Sequence, residues 1–574
     1  MPNIRLMLWG VLAAILFITY QTWLHDYEPP VSTVVPTSAA PAGVPASTLG
    51  DSVPQPASAP VAANPQPAPG TATPPAATSA PAALAAASAS DTGPPVPLHV
   101  TTDVLDIGIN LKGGELDRAD LLQYPLRKDT PNIPVRLLSY EPPPTRYLVQ
   151  SGLTGGAGEA APTHQVLWKS DEKTFVLAPG MDELRVPLTW TDGAGLTVTK
   201  TFIFKRGQYA IALEYDVKND GSSPRTLASY AQILRHWEHA SRSYFDVETY
   251  SFKGPAVYDG TKSKDLNVES DGDAKYSATI TNGWFASLQH QFVAAVVPPA
   301  GQPYQYQVKV ANNEYLVTAT GPMTSIPAGA KAQFHEELFV GPKLQSQLAA
   351  LGRNLERTVD FGVLTVLAQP LFTGLNYVHK LIGNWGWSII IVTALIKLLF
   401  YPLSQASGRS MAKMRAVGPR MKQIQETFKD DREKLGRAMM DLYKKEKINP
   451  LAGCLPMVVQ IPVFISFYRV LLESVEMRQT PFLLWINDLS SRDPYFVLPL
   501  LMGSAMFAQF KLNPAPPDPM QAKIMQFMPL IMTGMMAWFP SGLVLYWLTN
   551  TVLSIAQQWR VNQVVEAEAA KQRS

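Results

Sequence analysis

Apolar positions in this 574-residue chain gather at its two ends, while the middle alternates between apolar and polar. The first run, Ile4 to Leu24, is about twenty residues with one charge, Arg5, enough to cross a ~30 Å hydrocarbon core. No small-x-small cleavage site follows it, and Tyr20, Trp23 and Tyr27 stand at its far end as interfacial anchors would. It therefore reads as an uncleaved anchor rather than a signal peptide. From about Pro29 to Pro97 the chain is rich in Pro, Ala, Ser and Thr, with Asp51 and Asp91 its only charges. That composition cannot bury a core and predicts an extended, disordered tether.

From about Leu98 to Gly341 the period is two. Thr197–Lys205 and Tyr209–Val217 alternate around the turn signal Arg206-Gly-Gln, and Gln291–Val297 and Gln302–Thr320 also read as strands. A large antiparallel β domain of two packed sheets is predicted. Helical spacing then appears at Leu355, Val359, Val363, Val366, Leu367 and Pro370, with Arg353, Arg357, Asp360 and Gln369 on a polar side. This predicts a short amphipathic helix at a membrane surface, or else a helix packed on the β domain. Five apolar segments follow: Trp385–Leu403, Gly453–Leu472, Tyr495–Phe510, Ile524–Phe539 and Gly542–Trp559. Tryptophans and tyrosines lie near their ends, as an aromatic belt requires. The loop Gln405–Asn449 holds twelve Lys and Arg against six Asp and Glu, which makes it cytoplasmic. The β domain then lies on the opposite side, and both termini are cytoplasmic.

Net charge (+2) changes little, but the low charged fraction, 16% against roughly 25% in soluble domains, agrees with membrane spans. Cys454 is the only cysteine, which excludes an intramolecular disulfide and a multi-cysteine metal site. Gly254 to Gly260-Thr-Lys-Ser lacks the spacing of a phosphate-binding loop, and no hydrolase or zinc-protease motif occurs. His236 and His239 have no obvious third ligand, and His290 and His335 read as ordinary strand or surface residues. No catalytic residue, metal or cofactor is expected.

One charge stands inside the apolar run SIIIVTALIKLLFYPL. Lys397 lies about 18 Å beyond Trp385 if the span is one straight helix. A cation there costs at least ~2.5 kcal/mol unless it meets water or a partner. It either snorkels to the headgroups or faces a wet cavity. Thr393, one helical turn earlier, shares its face and favours the cavity. Gln460, Tyr546, Asn550 and Thr551 are further polar groups in spanning segments, suited to helix–helix hydrogen bonds or to lining that cavity. In the basic loop, Met414, Val417, Met421, Ile424 and Phe428 form a seam facing Leu435, Met439, Leu442 and Tyr443. This predicts a helical hairpin kinked at Pro419. Its Lys413, Arg415, Arg420, Lys422, Lys444 and Lys445 are either plain membrane-surface charge or a docking surface for a cytoplasmic partner. The dense methionines around the last three segments suit varied apolar guests.

The runs NPLAGCLPMVVQIPVFISFYRVL, DPMQAKIMQFMPLIM, FPSGLVLYWLTN and SMAKMRA closely resemble YidC-type membrane protein insertases. The resemblance implies a polytopic α-helical membrane protein, with one N-terminal anchor and a five-helix core, and a large all-β periplasmic super-sandwich domain. It divides the chain into an anchor (1–28), a disordered linker (29–97), the β super-sandwich (98–342), a linker with the amphipathic surface helix (343–383), the insertase core (384–560) with its cytoplasmic hairpin (405–449), and a cytoplasmic tail (561–574). The super-sandwich resembles that of sugar mutarotases, but fold alone does not transfer catalysis. The family uses a hydrophilic intramembrane groove whose arginine draws in a client's polar tail. Here that position is Lys397, which keeps the charge and loses the guanidinium fork. Thr393, Gln460, Tyr546 and Asn550 fall where relatives line the groove. The implied partners are nascent membrane-protein clients, the Sec translocon with its accessory subunits, the ribosome and the signal-recognition-particle receptor at the cytoplasmic loops, and the lipid bilayer of the bacterial inner membrane. Two other readings fit less well. A secondary transporter would be expected to show an internal repeat, and an anchored polysaccharide-binding protein would need only one span.

Overall fold

The structure, a computed structural model, describes residues 49–55, 97–156, 158–238, 251–428, 431–446, 455–512 and 519–573. The expected anchor (1–28) and most of the expected linker lie outside them, as does His239.

At residues 49–55 the linker differs from a free tether. Leu49–Asp51 forms a 3-10 turn, and Leu49 packs against Leu148, Leu234 and Leu316. The Gly50 carbonyl bonds His164 Nε2 at 2.9 Å, and the Pro54 carbonyl accepts from Thr154 Oγ1 at 3.2 Å. The cause is local. Leu49 is a large apolar residue in a stretch of small ones, and a Cβ at Gly50 would stand 2.9 Å from Leu234.

The period-two segments form strands as expected. Those used below are β1 (Glu115–Arg127), β2 (Thr130–Ser139), β3 (Leu196–Lys205), β4 (Ala210–Asn219), β5 (Arg225–His236), β6 (Phe292–Val297), β7 (Glu314–Thr320) and β8 (Lys331–Pro342). Among the described residues, eleven strands make one sheet, with β5 paired to β7 and to Tyr147–Gly155 at its centre. Eight make the other, where β8 lies between β6 and β4, and β4 pairs with β3. The sheets share one apolar core. Polar groups also cross it. Tyr147 Oη donates to the Ser287 carbonyl at 3.0 Å. Lys200 Nζ donates to the carbonyls of Gly114 at 2.6 Å and Ser151 at 3.0 Å, within reach of the rings of Trp168, Phe202 and Tyr215.

The surface helix begins later than expected. Arg353, Asn354 and Gly362 have φ values of +52°, +55° and +73°, so no helix can run through them. Leu355 instead lies buried in a short 3-10 turn that ends at Thr358, and Val359 is buried just after it. Helix α1 spans Thr365–Ile382. It buries Ala368, Phe372, Leu375 and Val378, and exposes Val366, Tyr377 and Leu381. Its second face is thus also apolar, which suits lipid contact.

Gly383 ends α1 in the left-handed region, its N–H reaching the His379 carbonyl at 2.7 Å. Asn384 then caps α2 (Trp385–Leu399) by accepting from Trp387 N at 3.1 Å. The sequence pattern reads Trp385–Leu403 as one span, but α2 stops at Leu399 and α3 (Tyr401–Ala416) leaves at 63°. Pro402 accounts for this: it lacks the N–H that would reach the Leu398 carbonyl, and its ring needs that space. The stretch from Trp385 to Lys397 lies within α2 and keeps its straight-helix length of about 18 Å; only the continuation past Leu399 departs from a single straight span. Pro419 likewise starts a helix, α4 (Gly418–Thr427), rather than kinking one. Helix α5 (Arg432–Lys445) folds back on α4, and Val417, Met421 and Leu442 form their small core with Met414, Ile424, Met439 and Tyr443. The remaining helices are α6 (Leu455–Glu473), α7 (Val497–Leu512), α8 (Pro519–Met536) and α9 (Ser541–Arg573). Helix α9 packs on α2, α3, α6 and α7, and α8 packs on α7. No single helix among the described residues is long and apolar enough to cross a membrane, but α2 and Tyr401–Ser410 together are.

Candidate functional site

Three helices bring the predicted polar residues to one place. Helix α2 supplies Thr393 and Lys397 from one face, α6 supplies Gln460, and α9 supplies Tyr546 and Asn550 one turn apart. All five line a single cavity, with about 440 Å³ of open space, whose other walls include Ile396, Phe400, Leu403, Val459 and Val463. The bend after Leu399 places Phe400, Leu403 and Ser404 at its edge.

The ammonium of Lys397 is partly buried and donates to Ser554 Oγ at 2.7 Å; Ser554 Oγ in turn donates to the Asn550 carbonyl at 2.7 Å. No ion pair to Lys397 exists among the described residues. Its place in the last turn of α2 sets it near the negative end of the helix dipole, where a cation is favoured. Thr393 Oγ1 donates back to the Ile389 carbonyl at 2.6 Å, so its hydroxyl oxygen keeps a lone pair for the cavity. Tyr546 stacks on Phe467 at 4.3 Å and is within hydrogen-bonding reach of Gln460. Sequence reasoning missed Ser554, although it continues the four-residue series Tyr546, Asn550, Ser554.

Toward the β domain the helices close. Ile389, Phe467, Leu471 and Leu543 are fully or almost fully buried in one apolar layer. Beyond it, the loop between α6 and α7 is bonded to the start of α9. Ser541 N donates to the Ser491 carbonyl at 2.7 Å, Gly542 N to the Leu489 carbonyl at 2.9 Å, and Ser541 Oγ to the Asp488 carbonyl at 2.7 Å. Asp493 accepts from Trp485 Nε1, Tyr495 N and Leu498 N, which fixes the start of α7. The cavity is thus wettable on one side and sealed on the other.

The basic hairpin presents Lys413, Lys422, Lys444 and Lys445 exposed. Arg420 is engaged with Glu446 at 2.6 Å, and the side chain of Arg415 lies outside the described residues. Where the β domain meets the core, Glu476 Oε1 accepts from Gln345 N at 3.2 Å while Oε2 has no partner among the described residues, and burial pushes its pKa up to about 7.

Residues 377–568 match the family described as 60Kd inner membrane protein, and residues 97–374 match the YidC periplasmic domain. A membrane protein insertase YidC of Thioalkalivibrio sulfidiphilus is 44% identical over 586 residues, covering 100% of both chains. The chain belongs to the YidC family of membrane protein insertases. The Pseudomonas fluorescens YidC insertase is 43% identical over 585 residues, covering 99% of each chain. A solved YidC insertase with its first transmembrane domain resolved aligns over 81% of this chain and 92% of its own, at 17% identity and a TM-score of 0.37. As a YidC-family protein of the bacterial inner membrane, the chain carries its sandwich as a periplasmic domain. It is an insertase, not a catalyst of covalent chemistry.

Proposed function

We propose that the cavity is the client groove of this insertase, and that Lys397 is the charge that draws a client's acidic or polar tail into it. The observation that carries this is the convergence of Lys397, Thr393, Gln460, Tyr546 and Asn550 on one cavity around a cation whose one hydrogen-bond partner among the described residues is Ser554. Such a cation, hydrated but not neutralised, binds an anionic guest transiently. A fixed carboxylate beside it would compete with the guest. The apolar seal at Ile389, Phe467, Leu471 and Leu543 keeps the bilayer closed to ions while the tail waits.

No nucleotide is needed. The tail crosses a shortened hydrocarbon path, and the client's apolar segment enters lipid at about 25 cal/mol per Å² of surface buried. The membrane potential drives an acidic tail outward at ~2.3 kcal/mol per charge per 100 mV. In this reading α2 with α3, and α6 to α9, form the five-span core. The basic hairpin and both termini are cytoplasmic. The exposed lysines of the hairpin dock the ribosome and the signal-recognition-particle receptor, and the core also works beside the Sec translocon and its accessory subunits.

The test is complementation of a cell depleted of its own insertase, reading translocation of a single-span client with an acidic tail. Lys397→Arg retains insertion, Lys397→Ala lowers it, and Lys397→Glu lowers it most. Parental activity in Lys397→Glu would end the electrostatic reading.

A further inference from the structure

The cavity leaves one exposed apolar surface unexplained. The β1–β2 hairpin carries Leu122, Leu126 and Ile133, which are 42%, 53% and 52% exposed. Apolar side chains grouped on a strand tip are costly in water. Yet this tip is held firmly in place. Arg478 donates to the carbonyls of Pro125 at 2.9 Å and Leu126 at 3.1 Å, and its guanidinium lies over Phe292 at 5.5 Å. Gln479 Nε2 reaches the Pro125 carbonyl at 3.1 Å. Lys128 donates to the Gln479 carbonyl at 3.2 Å and to the Asn487 carbonyl.

The partner in all of these bonds is the loop joining α6 to α7. A loop between two core helices stands at the membrane boundary. It carries its own exposed apolar residues: Leu484 is 84% exposed with a φ of +53°, and Tyr495 is 68% exposed. On the five-span reading proposed above, this loop sets the hairpin tip at the level of the lipid headgroups. Its exposed charges are Arg127, Lys128 and Asp129. Behind the tip, Arg127, Lys128, Arg478 and Asp488 line a cavity with about 810 Å³ of open space, in which cations outnumber the carboxylate.

We propose that the β1–β2 hairpin is a second membrane contact, seated on the periplasmic leaflet. Leu126 and Ile133 enter the headgroup–acyl boundary, and Arg127 meets lipid phosphate. The occupant is a lipid surface because the apolar tip is continuous with the membrane-embedded core and carries the charge sign that phosphates complement.

The test uses the full chain in a Cys454→Ser background. An environment-sensitive fluorophore is placed at Leu126→Cys or Ile133→Cys. Leu167→Cys is the control, since Leu167 is 63% exposed and bridges Lys112, at the opposite end of β1. The protein is reconstituted in phosphatidylcholine vesicles with and without phosphatidylglycerol, and retained insertion activity verifies the fold. A shallow nitroxide lipid quenches the tip probes several-fold more than the control, and Arg127→Glu weakens the gain that phosphatidylglycerol gives. Tip probes quenched no more than the control would overturn the proposal. So would tip probes already shielded from water in detergent without lipid, because protein would then be covering the hairpin.

Discussion

Lys397 Nζ and Ser554 Oγ are 2.7 Å apart, and Ser554 passes that contact to the backbone of α9 through the Asn550 carbonyl. The cation belongs to α2, but its position is set from α9. A lysine has a flexible four-carbon stem, so one hydrogen bond decides where its charge stands.

Ser554→Ala frees the ammonium without removing it. Insertion of an acidic-tailed client falls about fivefold, equivalent to ~1 kcal/mol for one net hydrogen bond. A client with a neutral tail is inserted at the parental rate. Equal loss for both clients would mean that Ser554 serves helix packing instead.

Gly503 of α7 faces Thr533 of α8, where an added Cβ would collide with the threonine hydroxyl. Close approach through small residues is how membrane helices pack. Gly503→Val destabilises the core by about 1–3 kcal/mol, seen as a lower thermal midpoint in detergent. Gly534→Ala, also in α8, meets open space and leaves the midpoint unchanged.

Glu476 titrates at about 7 in the fold against 4.5 in the open chain, because burial disfavours its charge. Between these values the folded protein holds more protons than the unfolded one, so stability falls as pH rises from 4.5 through 7. Glu476→Gln removes this contribution, which is on the order of 3 kcal/mol. Its thermal midpoint should match the parent near pH 4 and exceed it at pH 8. A constant difference across that range would show that Glu476 is ionised throughout.

The lysines of the basic hairpin are separable from the cavity. Combined Lys422→Glu, Lys444→Glu and Lys445→Glu lowers ribosome co-sedimentation and leaves post-translational insertion of an acidic-tailed client intact. Leu442→Ala instead opens the small core between α4 and α5, at about 2–5 kcal/mol, visible as faster amide exchange confined to the hairpin.

The cavity lining was legible where helical period projects residues onto one face. Thr393 with Lys397, and Tyr546 with Asn550, are one turn apart, and Gln460 breaks an apolar run. Ser554 continued the same four-residue series but stood between Leu553 and Ile555 in an apolar run and was passed over. The bend after Leu399 was hidden because apolar character continues through Leu398-Leu-Phe-Tyr401, and only Pro402 marks it. The late start of α1 was hidden for another reason: left-handed Arg353 and Asn354 leave no trace in hydropathy. In the β domain alternation located the strands, but nothing in the linker's composition foretold that Leu49 would find a pocket.

Helix α9 runs unbroken for 33 residues, about 50 Å. One end is stapled to the loop beneath the β domain through Ser541, its middle carries Asn550 and Ser554, and its far end continues to Arg573. It is a lever with three loads on one rod. A guest that displaces the Lys397–Ser554 contact changes the forces on the same helix that presents the tail. Any shift of Ser554 is therefore a shift of the rod that also carries Ser541 and reaches Arg573.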